Sequence, residues 1–119
     1  MIVDDDVQTR TMMNELLQSY GAETFWASNA RDATRGLGEE AVHVVLSDIG
    51  LPDLDGYALM RQLRQSGAIS SSTPAIALTG FAQANDERMA REAGYQGFVT
   101  KPIDVAALVA LIQQLAAHP

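Results

Sequence analysis

The chain has 119 residues, 47% of them hydrophobic, with eight basic against fifteen acidic side chains for a net charge of −7, and no cysteine. That length suits one domain with enough apolar side chains to cover a sheet on both sides. The charge repels nucleic-acid backbones and anionic membranes, the lack of cysteine removes disulfide frameworks and thiolate metal sites, and no apolar run approaches the roughly 20 residues of a membrane span. The expectation is a single soluble cytoplasmic domain over residues 1–119, without direct contact to nucleic acid or membrane.

Met1-Ile2-Val3, followed by Asp4, Asp5 and Asp6, reads as a very short strand. A strand at the first residue suggests a domain excised from a longer chain. From Val7 to Tyr20, apolar residues at Met13, Leu16, Leu17 and Tyr20 have the spacing of a helix with one buried face, and Gly21 stops it. Glu23 to Ala27 is rich in strand formers. A weaker helical stretch from Asn29 then puts Ala30, Ala33 and Leu37 on one side and closes at Gly38. Phe25, Trp26 and Tyr57 are expected to be packing residues, and His43 and His118 to face solvent.

In the run from His43 to Pro52 an apolar stretch of strand length stops at Asp48 and is followed by turn residues. Such a run reads as a strand buried on both faces of a parallel sheet. Asp55 is placed to cap a helix from about Gly56 to Gln65 that buries Leu59 and Leu63, and the serine-rich connector from Ser66 to Thr73 looks the most mobile part. Pro74 to Leu78 is a fourth strand ending at Thr79-Gly80, and Asn85 to Ala93 is a helix closed by Gly94. Gly97 to Val99 is a fifth strand running into Thr100-Lys101-Pro102, and Asp104 caps a last helix that buries Leu108, Leu111, Ile112 and Leu115.

Strict alternation of strand and helix predicts an α/β fold, a doubly wound parallel sheet between two helical layers. Ligands of such sheets sit beyond the carboxyl ends of the strands. Asp4, Asp5 and Asp6, then Asp48, Thr79 and Lys101, all fall at that edge. Clustered carboxylates need a cation or raised pKa values. Oxygen-only ligands point to a hard divalent ion, with Mg2+ the usual choice where phosphate is handled. A carboxylate beside such an ion, with a lysine ammonium and a threonine hydroxyl opposite, is the constellation of a phosphoryl acceptor.

The acidic pair after the first strand, the stretch Ser-Asp-Ile-Gly-Leu-Pro-Asp-Leu-Asp-Gly, Ala-Leu-Thr-Gly at 77–80 and Lys101-Pro102 together resemble the receiver domain of two-component response regulators over essentially the whole chain. The resemblance implies a flavodoxin-like (βα)5 sandwich with strand order 2-1-3-4-5, the order of the family's chemotaxis regulator, and a cis peptide at Lys101-Pro102. It implies that Asp48 accepts a phosphoryl group from a phosphohistidine donor, a histidine kinase or a histidine phosphotransfer domain. Asp5 would be a direct Mg2+ ligand, Asp4 would act mainly through a water, and the Gly50 carbonyl would complete the protein's share. Thr79 and Lys101 would bind phosphoryl oxygens, and Thr79 and Phe98 would move in a conformational switch. The surface affected would be the helix from Asn85 to Ala93 with the fifth strand and the last helix, a surface also available for a homodimer.

By the same resemblance, Gly50 and Phe81 occupy places that modulate loss of phosphate. Neither offers a polar side chain to position water, which implies a phosphorylated state that is not especially short-lived. The wording Ala-Leu-Thr-Gly-Phe-Ala-Gln, with Glu-Ala-Gly-Tyr-Gln-Gly-Phe and Lys-Pro-Ile-Asp downstream, looks like a hybrid sensor histidine kinase receiver. A stand-alone regulator and a docking module that is never phosphorylated are the alternatives. The domain itself would be an acceptor and not a multi-turnover enzyme.

Each residue also has an ordinary structural role open to it. An Asp triplet before a helix serves as cap and solvated charge, Thr79 can bond to nearby backbone, and Lys101 alone is a surface charge. Two further readings compete, one sharing the architecture and one the use of Asp, Mg2+ and Lys. An FMN site of the flavodoxin type needs a first loop that cradles phosphate, which Asp4 to Asp6 would repel. A phosphatase of the haloacid dehalogenase type resembles Asp-x-Asp, and the second position here is Gly50.

Overall fold

A computed structural model describes residues 1–39, 41–80 and 85–116. Phe81 and His118, both given expectations above, lie outside the described residues. Five strands alternate with five helices: β1 Ile2–Val3, α1 Val7–Ser19, β2 Trp26–Ala27, α2 Ala30–Glu39, β3 Val45–Asp48, α3 Gly56–Ser66, β4 Ala75–Thr79, α4 Asp86–Ala93, β5 Gly97–Thr100 and α5 Val105–Ala116. All pairings are parallel and the strand order is β2-β1-β3-β4-β5. This is the expected doubly wound, flavodoxin-like sandwich.

The strands separate two apolar layers by alternation, because successive side chains point to opposite faces. Val45, Ala75 and Ala77 face Leu59, Met60 and Leu63 of α3 and Ala33 and Leu37 of α2. Leu46, Ile76 and Leu78 face Met13 and Leu17 of α1 and Leu108 and Val109 of α5. The alanines of β4 lie on the side that receives the bulky α3 residues, so small meets large across that layer.

Two expectations change in the structure. Tyr20 is 61% exposed and caps α1 instead of packing, since Met13 and Leu17 already cover the sheet and the backbone turns away at Gly21, whose φ is +89°. β2 is two residues long, shorter than the stretch from Glu23, and Trp26 on this edge strand is 55% exposed while Ala27 beside it is buried. The indole is covered instead by Arg10, whose guanidinium carbon lies 4.1 Å from the ring centroid. The serine-rich connector has contacts of its own: Ile69 is buried, the Ser70 hydroxyl bonds those of Ser72 and Thr73, and Arg64 Nη1 donates to the Ser70 carbonyl at 2.6 Å, in line with its reading as a surface connector.

Helix ends follow local chemistry. Asp6 caps α1 by accepting from the Gln8 N–H, Asp55 caps α3 through the Ala58 N–H, and Asp104 accepts from the Ala107 N–H. At α2 the local cap, Asn29 Oδ1 accepting from the Asp32 N–H at 2.8 Å, is joined by a second from elsewhere in the chain. Asp53, in the loop after β3, accepts from the N–H groups of Ala30 at 2.9 Å and Arg31 at 3.1 Å.

Candidate functional site: an acidic cluster at the sheet edge

Register brings the polar strand ends together. Val3 pairs with Ser47, Asp48 with Leu78 and Thr79 with Thr100, so the residues that follow β1 and β5 emerge beside Asp48 and Thr79. The chain leaves β1 for β2 on one side and returns to β3 on the other. The cluster therefore sits at the crevice where strand order reverses, the place at which such sheets bind ligands.

Asp4 is fully buried there. Its Oδ1 accepts from the Asp6 N–H at 2.9 Å, and its Oδ2 accepts from Lys101 Nζ at 2.9 Å. Burial raises its pKa, against the lowering effect of these two bonds, and the neighbouring charge of Asp48 adds to the rise. Asp48 ends β3 with its side chain 12% exposed, leaving a narrow window to solvent. Its Oδ1 accepts from the Gly50 N–H at 3.1 Å, and its Oδ2 lies 3.5 Å from Lys101 Nζ. Asp5 is exposed, and one carboxylate oxygen each from Asp4, Asp5 and Asp48 lie within 4.8 Å of one another.

Lys101 follows β5, its N–H donating to the Thr79 carbonyl at 2.7 Å, and the Lys101-Pro102 peptide is cis. Burial works to lower its ammonium pKa, but the hydrogen bond and charge of Asp4, then the charge of Asp48, outweigh it and raise the value. The ammonium stands closer to Asp4 than to Asp48, so it neutralises the buried acid first. Asp6, the third acid of the triplet, is turned into α1 as its cap and accepts the Thr9 hydroxyl at 2.7 Å. That leaves Asp4, Asp5 and Asp48 as the cluster. Thr79 is buried at the end of β4, and Phe98 of β5 is half-buried against the layer of α2, α3 and α4.

Four further residues support the site and were not singled out by sequence. Gly56 donates its N–H to the Ile49 carbonyl at 2.7 Å, and its own carbonyl accepts from the buried Tyr95 hydroxyl at 2.9 Å. Tyr95 has its pKa pushed up, by burial first, so it remains a neutral donor. Asp53 ties the loop after Asp48 to α2, and Arg10 Nη1 donates to the Asp4 carbonyl at 3.1 Å. The Asp-Gly pair at 55–56 was a readable turn signal. The other contacts join distant segments and leave no local mark.

The donor set suits a hard divalent cation, being carboxylate oxygen with no imidazole or thiolate among the three residues. Lys101 already balances part of the charge.

The model of the family described as response regulator receiver domain matches residues 1–113. The chain belongs to that family. Among curated relatives of this receiver domain, an uncharacterised 14.6 kDa protein of Leptolyngbya boryana is 35% identical over 96% of this chain and 86% of its own length. The sensor histidine kinase RcsC of Salmonella typhi is 32% identical over 91% of this chain, which spans only 11% of that protein. Among solved structures, the receiver domain of a Pseudomonas aeruginosa sensor histidine kinase, described with a magnesium ion coordinated in its active-site cleft, superposes with a TM-score of 0.86 at 27% identity, covering 98% of this chain and 94% of that one.

Proposed function

We propose that this receiver domain accepts a phosphoryl group on Asp48 from a phosphohistidine of a histidine kinase or phosphotransfer domain, in a Mg2+-dependent reaction. The observation that carries the reading is the position of Asp48: a carboxylate with a narrow solvent window, with Oδ2 3.5 Å from an ammonium and with two further acids alongside. Asp48 Oδ2 attacks phosphorus in line, the P–N bond to the donor imidazole breaks, and the imidazole nitrogen keeps the bonding pair. Lys101, 3.5 Å from Asp48 Oδ2, would hold a phosphoryl oxygen, and Thr79, at the end of the neighbouring strand, would hold another. The Gly50 N–H fixes Asp48 Oδ1, which leaves Oδ2 as the oxygen facing Lys101.

Asp5, Asp48 and the Gly50 carbonyl would hold the metal, with Asp4 acting through a water because both its oxygens are already engaged. Mg2+ bound there supplies positive charge to the transferring phosphoryl oxygens. The magnesium ion in the active-site cleft of the Pseudomonas receiver supports a Mg2+ site in this family's cleft.

Phosphorylation adds charge at Asp48, and Thr79 and Lys101 favour a second arrangement in which Phe98 moves with β4 and β5. The output surface is α4, β5 and α5, also the surface for any homodimer. The likeness to RcsC supports an origin as the receiver of a longer hybrid sensor histidine kinase, working in the cytoplasm; the Leptolyngbya protein, of nearly this length, supports a stand-alone regulator instead.

The test is intact mass after incubation with acetyl phosphate and Mg2+, for wild type and Asp48→Asn. A single added phosphoryl group that requires Mg2+ and is lost in Asp48→Asn is the expected result. No gain in wild type, from acetyl phosphate or from a phosphorylated histidine donor, would overturn it and leave a docking module.

A further inference from the structure

We propose that Arg10, stacked on Trp26, is a positioning residue for the acidic loop: it holds the Asp4–Asp5 peptide in the orientation in which Asp5 reaches the cation. The inference rests on the Mg2+ reading above.

Both backbone groups of Asp4 are tied to the same edge of the sheet. Its N–H donates to the Ala27 carbonyl of β2 at 3.0 Å, and its carbonyl accepts from Arg10 Nη1 at 3.1 Å. That carbonyl belongs to the peptide linking Asp4 to Asp5, and a peptide is planar, so fixing its oxygen fixes the Asp5 N–Cα bond, while the Asp6 N–H bond to Asp4 Oδ1 at 2.9 Å limits rotation about it. Asp4 also has its side chain pinned, by Lys101 and the Asp6 N–H. Asp5 is exposed, and the neighbouring peptide is a principal restraint on its direction.

Arg10 could not hold this carbonyl alone, since a long side chain on a half-buried helix position samples many rotamers. Trp26 supplies the second restraint. Its ring lies 4.1 Å from the guanidinium carbon, in the range of a cation–π contact, and shields one face of that group from water. The stacking also accounts for a large aromatic left 55% exposed on an edge strand. β2 therefore reaches the acid loop twice, once through its backbone and once through the Trp26 ring.

Charge and positioning predict opposite signs, which makes the idea testable. Removing Arg10 takes a positive charge from the acid loop, where its Nη1 stands 3.1 Å from the Asp4 carbonyl oxygen, and by Coulomb attraction alone Mg2+ would then bind more tightly. Loss of positioning instead weakens binding, as loss of an outer support for metal ligands commonly does by about tenfold or more.

Calorimetric titration with MgCl2 of wild type, Arg10→Ala, Trp26→Ala and Trp26→Phe decides it, with circular dichroism checking that each variant folds. The expected order is wild type and Trp26→Phe close together, with Arg10→Ala and Trp26→Ala about tenfold weaker. Trp26→Ala keeps every charge and still decides the matter if Arg10→Ala does not fold. Wild-type binding with equal or tighter binding in Arg10→Ala and Trp26→Ala overturns the positioning role and spares the Mg2+ site. No heat in the wild type, with no Mg2+-dependent rise in melting temperature, overturns both.

Discussion

The α-carbon of Gly56 lies directly against the backbone of Asp48: a methyl group built on it would stand 2.6 Å from the Asp48 carbonyl oxygen and 2.8 Å from the Ile49 α-carbon. No side-chain rotation relieves a clash with main chain, so α3 can start this close to β3 only from a glycine. Gly56→Ala is therefore expected to lower stability by about 1–3 kcal/mol, although alanine is the better helix former. It should also slow phosphorylation, because the backbone that gives way carries Asp48. A urea midpoint equal to wild type would refute the close approach.

Asp5→Asn is expected to act in opposite directions with and without metal. In EDTA the variant relieves repulsion among three carboxylates lying within 4.8 Å of one another, and it should melt at or above the wild-type temperature. With Mg2+ at a hundred times its wild-type Kd, the wild type gains about 2.7 kcal/mol by mass action, and the variant gains much less. Thermal scans in EDTA and in Mg2+ give both comparisons. Equal Mg2+ stabilisation of the two proteins would remove Asp5 from the ligand set.

The cap that Asp53 places on α2 makes part of the stability pH-dependent. The Ala30 N–H, and after it the Arg31 N–H, hold its carboxyl below the ordinary value of 3.8 despite some opposing desolvation. A carboxyl lowered on folding contributes fully above its unfolded value and loses that contribution as pH falls through the folded one. Asp53→Ala should thus melt below wild type at pH 7, and the gap should narrow as pH drops through the carboxylate range. A gap independent of pH would mean that the charged cap is not what stabilises α2.

Arg64 closes the opposite end of the sheet. Its guanidinium donates to the carbonyls of Ser70 at 2.6 Å and Gly94 at 2.8 Å and to Gln96 Oε1 at 3.1 Å, and the same Gln96 oxygen accepts the Ala75 N–H at 2.7 Å. A lysine cannot span this fork of acceptors. Arg64→Lys is expected to cost about 1–3 kcal/mol, read by chemical denaturation. Full stability in the lysine variant would show that charge alone suffices.

Much of this fold was legible because each element carries its own period. Buried runs such as Ala75 to Leu78 and the helical stripe of Leu59 and Leu63 needed no tertiary information. The strand-end residues Asp4, Asp5, Asp48, Thr79 and Lys101 were legible as a group, because a parallel sheet with crossover helices sends all strand ends to one edge. What escaped depends on how far each element extends. Tyr20 continues the spacing of Met13, Leu16 and Leu17, yet the sheet beneath α1 is already covered and the helix ends there. Trp26 has the composition of a buried strand residue, but it stands on an edge strand of two residues. The Asp53 cap on Ala30 and the Arg10 stack on Trp26 join segments 23 and 16 residues apart, beyond any local pattern.

The sheet is uneven: β1 and β2 have two residues each, whereas β3, β4 and β5 have four, five and four. Asp4 and Asp5 hang from the thin side, and Asp48, Thr79 and Lys101 from the thick one. The thin side opens at the lower free energy, since few ladder bonds must break. A cation gripped by acids from both sides would act as a cross-tie between a stiff panel and a loose hem. Its arrival should slow amide exchange most at Ile2, Val3 and Ala27, in the part of the molecule with the least structure of its own.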